Sequence, residues 1–206
     1  MRRTAFLTRI LLLASFLAAA PALRADENLV VQASLRAAEE GLVLDADFAF
    51  ELTPRLTEVL SNGVPLYFVV DFNLERRRWY WLDERAIAAR LQMRVSYHPL
   101  SRHFRMSTGL LQRNFESLDE VLAAVKRLRN WLVADRSITF SDADYEASVR
   151  LRLDTSLLPK PFQLSALTAR DLQLETPWKR FTVPAPKHLP APVETREAPK
   201  GAGGTR

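Results

Sequence analysis

Residue types and spacing promise chemistry most clearly at Arg76-Arg77-Arg78-Trp79-Tyr80-Trp81. Guanidinium groups beside indoles combine charge, planar stacking and rigid contact area, which suits anionic lipid headgroups, glycan faces or the acidic loop of a partner protein. On that reading Arg76, Arg77, Arg78, Trp79 and Trp81 form a binding surface. The plainer reading buries both tryptophans in the core and pairs the arginines with Glu75, Asp83 and Glu84.

Two other constellations are weaker. His98 and His103 bracket the segment YHPLSRH, and imidazole is a common metal ligand, but no third or fourth ligand follows at a suitable spacing. They read as polar turn residues, and no metal or cofactor is expected. Asp45 and Asp47 stand two apart, side by side on one face of a strand, and without a cleft around them they read as a solvated face. No GxSxG elbow, Gly-rich phosphate loop or HExxH occurs, and the chain has no cysteine. A thiol nucleophile and disulfides are thereby excluded, and no catalytic residue is expected.

The charge balance narrows the partners. Residues 1–25 have a basic start at Arg2, Arg3 and Arg9, an apolar centre over Ile10–Ala19, and small residues at Ala20, Ala22 and Ala25, the layout of a secretory signal peptide. An uncleaved inner-membrane anchor is the lesser alternative, because the apolar centre is short for a bilayer span. That segment holds four of the 29 basic residues and no acid, leaving 25 bases against 24 acids in the rest of the chain. The high isoelectric point thus belongs to the leader, and the basic footprint that nucleic-acid binding requires is missing. The expected location is the periplasm, with an envelope protein or an anionic membrane surface as the partner. At the other end, residues 184–206 carry five of the 12 prolines and three of the six glycines, the composition of a disordered tail.

Between these ends, residues 26–183 read as one mostly-β domain organised on the run Gly63–Glu84. Val64, Leu66, Phe68, Val70, Phe72 and Leu74 alternate with more polar positions, the period of a strand with one buried face. Continuing that parity would point Arg76 and Arg78 inward and Trp79 and Trp81 outward. A β-bulge among the arginines would reset it, and a tight turn making two strands is the alternative.

Leu29–Ala37, with Val31, Ala33 and Leu35 inward, and Leu42–Glu51, with Leu42, Leu44, Ala46, Phe48 and Phe50 inward, form a hairpin turned at Gly41. Thr53-Pro54 starts a short covering helix that buries Leu56, Val59 and Leu60 and ends at Gly63. Leu91, Met93, Val95 and Tyr97 alternate on a strand that turns at His98–Ser101 and returns through Phe104 and Met106. Ser117-Leu118-Asp119-Glu120 is a capping box, and Val121, Leu122, Val125, Leu128 and Leu132 follow at helical spacing, which predicts a helix over 118–133. Tyr145–Leu153 is another one-sided strand. The prolines of LPKPF exclude a central strand there, and a last strand falls within Leu172–Val183.

The succession GVPLYF, RWYWLDE, SYHPLSRHFR, a charged amphipathic helix and LRLDTSLLPKPFQ resembles the DUF4390 family, a domain of unknown function in exported proteins of Gram-negative bacteria. The likeness covers about residues 28–183 and implies an envelope location, while implying no activity or catalytic residue. The fold expected is an antiparallel β-sandwich with two covering helices. The function expected is a non-catalytic binding or accessory module, followed by a carrier of an apolar or lipid ligand, with a hydrolase third. A continuous internal cavity holding the ligand between the sheets would favour the carrier, and a dry core the interaction module.

Overall fold

The computed structural model describes residues 28–76, 84–136, 144–163 and 170–184. Residues 1–27, which hold the expected signal peptide, the residues from 185 onward, and Arg77, Arg78, Trp79 and Trp81 lie outside the described residues. Among the described residues nine strands form two antiparallel sheets. The small one has the order β1 (Leu29–Ala38), β2 (Gly41–Ala49), β7 (Arg127–Asp135). The large one runs β6 (Leu111–Phe115), β5 (His103–Thr108), β4 (Glu84–His98), β3 (Leu66–Arg76), β8 (Tyr145–Leu153), β9 (Lys179–Val183). Helix α1 covers Pro54–Ser61 and α2 Leu118–Lys126, and residues 160–163, in the LPKPF segment, are helical as well. None of the described helices is long and apolar enough to cross a membrane. The chain is mainly β and sandwich-like, as expected.

Both sheets share one core. The inward alternation of β3, from Leu66 to Leu74, and of β8, from Tyr145 to Leu153, is fully buried. Facing them, Leu42, Leu44, Ala46 and Phe48 of β2 are buried as well, and Trp131 of β7 meets Phe72 of β3 edge-on at 6.4 Å. Strand β1 lies over β8 and β9, and β7 over β4, so three strands cover only part of a six-stranded face.

Helix α1 begins as read. Thr53 Oγ1 accepts from the Leu56 amide at 3.2 Å, and Pro54 occupies the first turn. It ends in a Schellman motif: the Val64 amide reaches Val59 O at 3.2 Å and the Gly63 amide reaches Leu60 O at 2.9 Å, with Gly63 at φ 82°. Gly41 is required twice over, by φ 145° and by Ala134 O, which lies 2.0 Å from where a Cβ would stand.

The open choice over Gly63–Glu84 falls to the two-strand reading: β3 ends at Arg76, opposite Glu84 of the antiparallel β4, and the register shift between them lies at Leu74/Glu75. Other expectations need correction. Val31 is half-exposed, because a bulge between Val30 and Gln32 lets Val30 take the inward position, after which Ala33 and Leu35 face in as expected. The helix predicted over 118–133 stops at Lys126, and 127–135 becomes β7. There the open edge of β2 offers a ladder of backbone partners that a helix would leave unpaired, so tertiary pairing overrides local periodicity. Leu132, assigned to the buried stripe, is exposed as a result. Strand β6 was missed, since its five residues carry no apolar alternation.

Candidate functional site

The partial coverage of the large sheet creates the site. Past β7, the β4–β5–β6 half of the sheet is covered by α2, and the helix residues lining the gap, Ala123 and Ala124, are too short to fill it. An open cleft of about 920 Å³ remains, within the range of small-molecule sites. Leu91, Met93 and Met106 line it from the sheet, Leu111 and Phe115 from β6, and Leu128, Trp131 and Leu132 from β7. Met93 is buried, and Met106 and Phe115 are half-buried, so the walls are apolar and adaptable.

The polar groups of the cleft are unequal in their freedom. Arg129 donates to Asp47 at 2.6 Å, to Ala46 O at 3.1 Å and to Leu128 O at 2.7 Å, so it is spent on joining β7 to β2. The Glu120 carboxylate accepts from the Glu116 amide at 3.1 Å, completing the helix cap together with Ser117, which accepts from the Glu120 amide. Arg113 stands 5.2 Å over the Phe115 ring, and Arg127 opens β7 on an exposed position. Among the described residues neither has an acidic partner. The cleft is therefore an apolar trough with two uncompensated cations at its mouth.

The residues singled out from sequence are elsewhere. Arg76 is half-buried at the end of β3, and its four partners in the proposed cluster fall outside the described residues. His98 and His103 pair opposite each other across the β4–β5 turn, and both are exposed. Among the described residues no three His, Asp or Glu side chains gather as metal ligands would. Asp45 and Asp47 face neighbouring strands rather than open solvent. Asp45 pairs with Arg36 at 3.1 Å and accepts from the Asn130 amide at 2.7 Å. That amide bond, with help from Arg36, holds the Asp45 carboxyl below its usual range against the effect of burial. It also pins the β7 bulge, where Asn130 adopts φ 53°.

A second polar cluster was overlooked. On the outer face of the large sheet, Asp71 of β3 is buried and receives the Nε of Arg90 at 2.9 Å, of Arg150 at 3.2 Å and of Arg152 at 2.9 Å. Burial pushes its carboxyl up, but the hydrogen bonds from Arg152 and Arg90 outweigh that and leave it lowered. Trp178 stacks on Arg150 at 4.5 Å, and Glu175 binds the same guanidinium. The signal was present in the sequence: one carboxylate in the apolar run LYFVVDF must find cations, and Arg90, Arg150 and Arg152 sit on the outward positions of strands read correctly. With Asp154 4.0 Å from Arg152, three carboxylates face three guanidinium groups, and the cluster reads as a clamp across β4, β3 and β8.

A family model for a domain of unknown function, DUF4390, matches residues 25–182. The chain belongs to the DUF4390 family. No curated protein and no solved structure matched it. The apolar cleft, with Arg113 and Arg127 at its mouth, is the candidate site of this DUF4390 domain on its own geometry.

Proposed function

We propose that this DUF4390 protein is an exported, non-catalytic binding module of the cell envelope, and that its ligand carries an acyl or similarly apolar chain held in the cleft between α2, β7 and the β4–β6 face. The observation that carries the reading is the cleft itself: about 920 Å³ of solvent-open volume lined by Met, Leu, Phe and Trp side chains. Folded domains rarely leave such surface uncovered without a use for it. The space is an open cleft under α2 and not a continuous internal cavity between the sheets, so the carrier reading is favoured over the protein-interaction reading by the apolar lining of the cleft alone. The cleft lining supplies one carboxylate, Glu120, already engaged by a backbone amide, and no histidine, which favours binding over hydrolysis.

Titration with a fluorescent fatty acid free in solution tests the reading. Saturable one-to-one binding is expected for the wild type, and loss of at least tenfold in affinity for Ala124→Trp, which places an indole in the trough. Equal binding by the two proteins, with the variant's melting unchanged, would remove the cleft as the site.

A further inference from the structure

The mouth of the cleft has a feature that ligand binding alone does not require. The β5–β6 hairpin closes through Gly109 and Leu110, between the paired Thr108 and Leu111, and Gly109 takes φ 56° to make the turn. Its tip is apolar: Leu110 is 102% and Leu111 76% exposed. Across the opening, Leu132 of β7 is 42% exposed. Leu111 and Leu132 also line the cleft, so the exposed leucines continue the apolar trough outward. Arg113, two residues past Leu111, and Arg127, at the start of β7, flank this rim without acidic partners among the described residues.

We infer that the β5–β6 tip docks on an anionic lipid bilayer, with Leu110 and Leu111 entering the acyl boundary and Arg113 and Arg127 meeting phosphate headgroups, so that the cleft opens onto the membrane. Two arguments select a bilayer over a protein partner. A convex tip of two or three leucines offers far less surface than the roughly 800 Å² per side of a stable protein interface. It does match an interfacial anchor, which combines a few inserted apolar side chains with basic residues at headgroup level, neither being sufficient alone. Continuity adds a third argument: a chain leaving the bilayer between Leu111 and Leu132 would enter the trough without crossing water. This loading step rests on the proposed reading of the cleft; the docking does not.

Co-sedimentation with vesicles of phosphatidylethanolamine and phosphatidylglycerol, against vesicles of phosphatidylcholine alone, tests the docking. The wild type is expected to partition at least tenfold more strongly onto the anionic vesicles. Leu110→Asp should lower that partition tenfold or more while leaving melting temperature and uptake of the soluble fatty acid unchanged, since Leu110 is fully exposed and outside the cleft lining. Arg113→Gln combined with Arg127→Gln should lower it about 25-fold, near fivefold for each arginine, and flatten its salt dependence. If Leu110-dependent vesicle binding persists while no fatty acid enters the cleft, the docking stands and the cleft reading falls. Equal partition of wild type and Leu110→Asp would overturn the docking. So would a wild-type dimer in sedimentation equilibrium that Leu110→Asp converts to monomer, because the leucines would then belong to a contact between two copies.

Discussion

Replacing Asp71 with Asn removes a negative charge from under three guanidinium groups with almost no change of shape. The magnitude follows from which arginines are shielded. Arg150 and Arg152 keep only 25% and 20% of their side-chain surface exposed, whereas Arg90 keeps 66%. A hydrogen bond to a charged partner contributes about 1.5–3 kcal/mol when sheltered. The Arg90 pair is screened by solvent and adds a fraction of 1 kcal/mol at most. The amide oxygen of Asn still accepts one bond, so the net loss at neutral pH should be about 3 kcal/mol, or roughly 6–12 °C in melting temperature for a domain of this size. The pH dependence identifies the cause. The folded carboxyl of Asp71 lies below its ordinary value of 3.8, so its contribution is complete above that value and is lost as the pH falls through the folded pKa. Thermal melts of wild type and Asp71→Asn should therefore differ widely at pH 7, and the gap should narrow as the pH falls below 3.8 and close only below the folded pKa. Glu175→Gln, at an exposed partner of Arg150, serves as the control and should cost about 0.5 kcal/mol or less. A difference that stays constant from pH 7 to pH 3, or a variant as stable as the wild type at pH 7, would refute the clamp.

Gly41→Ala combines a positive φ with a Cβ placed on Ala134 O, and should cost about 2–3 kcal/mol in a denaturant melt. Asp45→Ala leaves the Asn130 amide and the Arg36 guanidinium without their carboxylate; the expected loss is about 1–2 kcal/mol, and it too should shrink at low pH because the Asp45 pKa is lowered.

The fold was legible wherever one face of an element is buried and the other is not. In β2 and β8 every second residue from Leu42 and from Tyr145 faces inward, so periodicity alone assigns strand and face. The caps of α1 were equally plain, since Thr53-Pro54 and Gly63 leave the backbone few alternatives there. Strand β7 was not legible, for a definable reason. Val121, Leu122, Val125, Leu128 and Leu132 fit one helical stripe, and the fact that decides against it, the unpaired edge of β2, lies some 80 residues away in sequence. The cleft was invisible for a related reason: it depends on how far a three-stranded sheet reaches across a six-stranded one. Ala123 and Ala124 announce nothing by themselves, and neither does an exposed leucine at a turn.

The helix-to-strand change at Lys126 joins these observations. Had α2 run on to residue 133, it would have been roughly 24 Å long instead of about 13 Å, leaving the β2 edge without a partner. By stopping, the chain pairs β7 with β2 and sets the half-buried Trp131 against Phe72 at the edge of the core. The gap beyond β7 then has only the first turns of α2 to cover it. The β7 bulge is what accommodates this path, and Asp45 fastens it through the Asn130 amide. The two carboxylate variants should therefore separate by function as well as by stability. Asp45→Ala loosens a wall of the cleft, so its fatty-acid affinity should fall along with its stability. Asp71→Asn acts on the opposite face of the large sheet, and after allowance for the folded fraction it should bind as the wild type does. Equal affinities for both variants would mean that the wall does not depend on its bulge, and the link drawn here between the α2–β7 junction and the ligand site would fail.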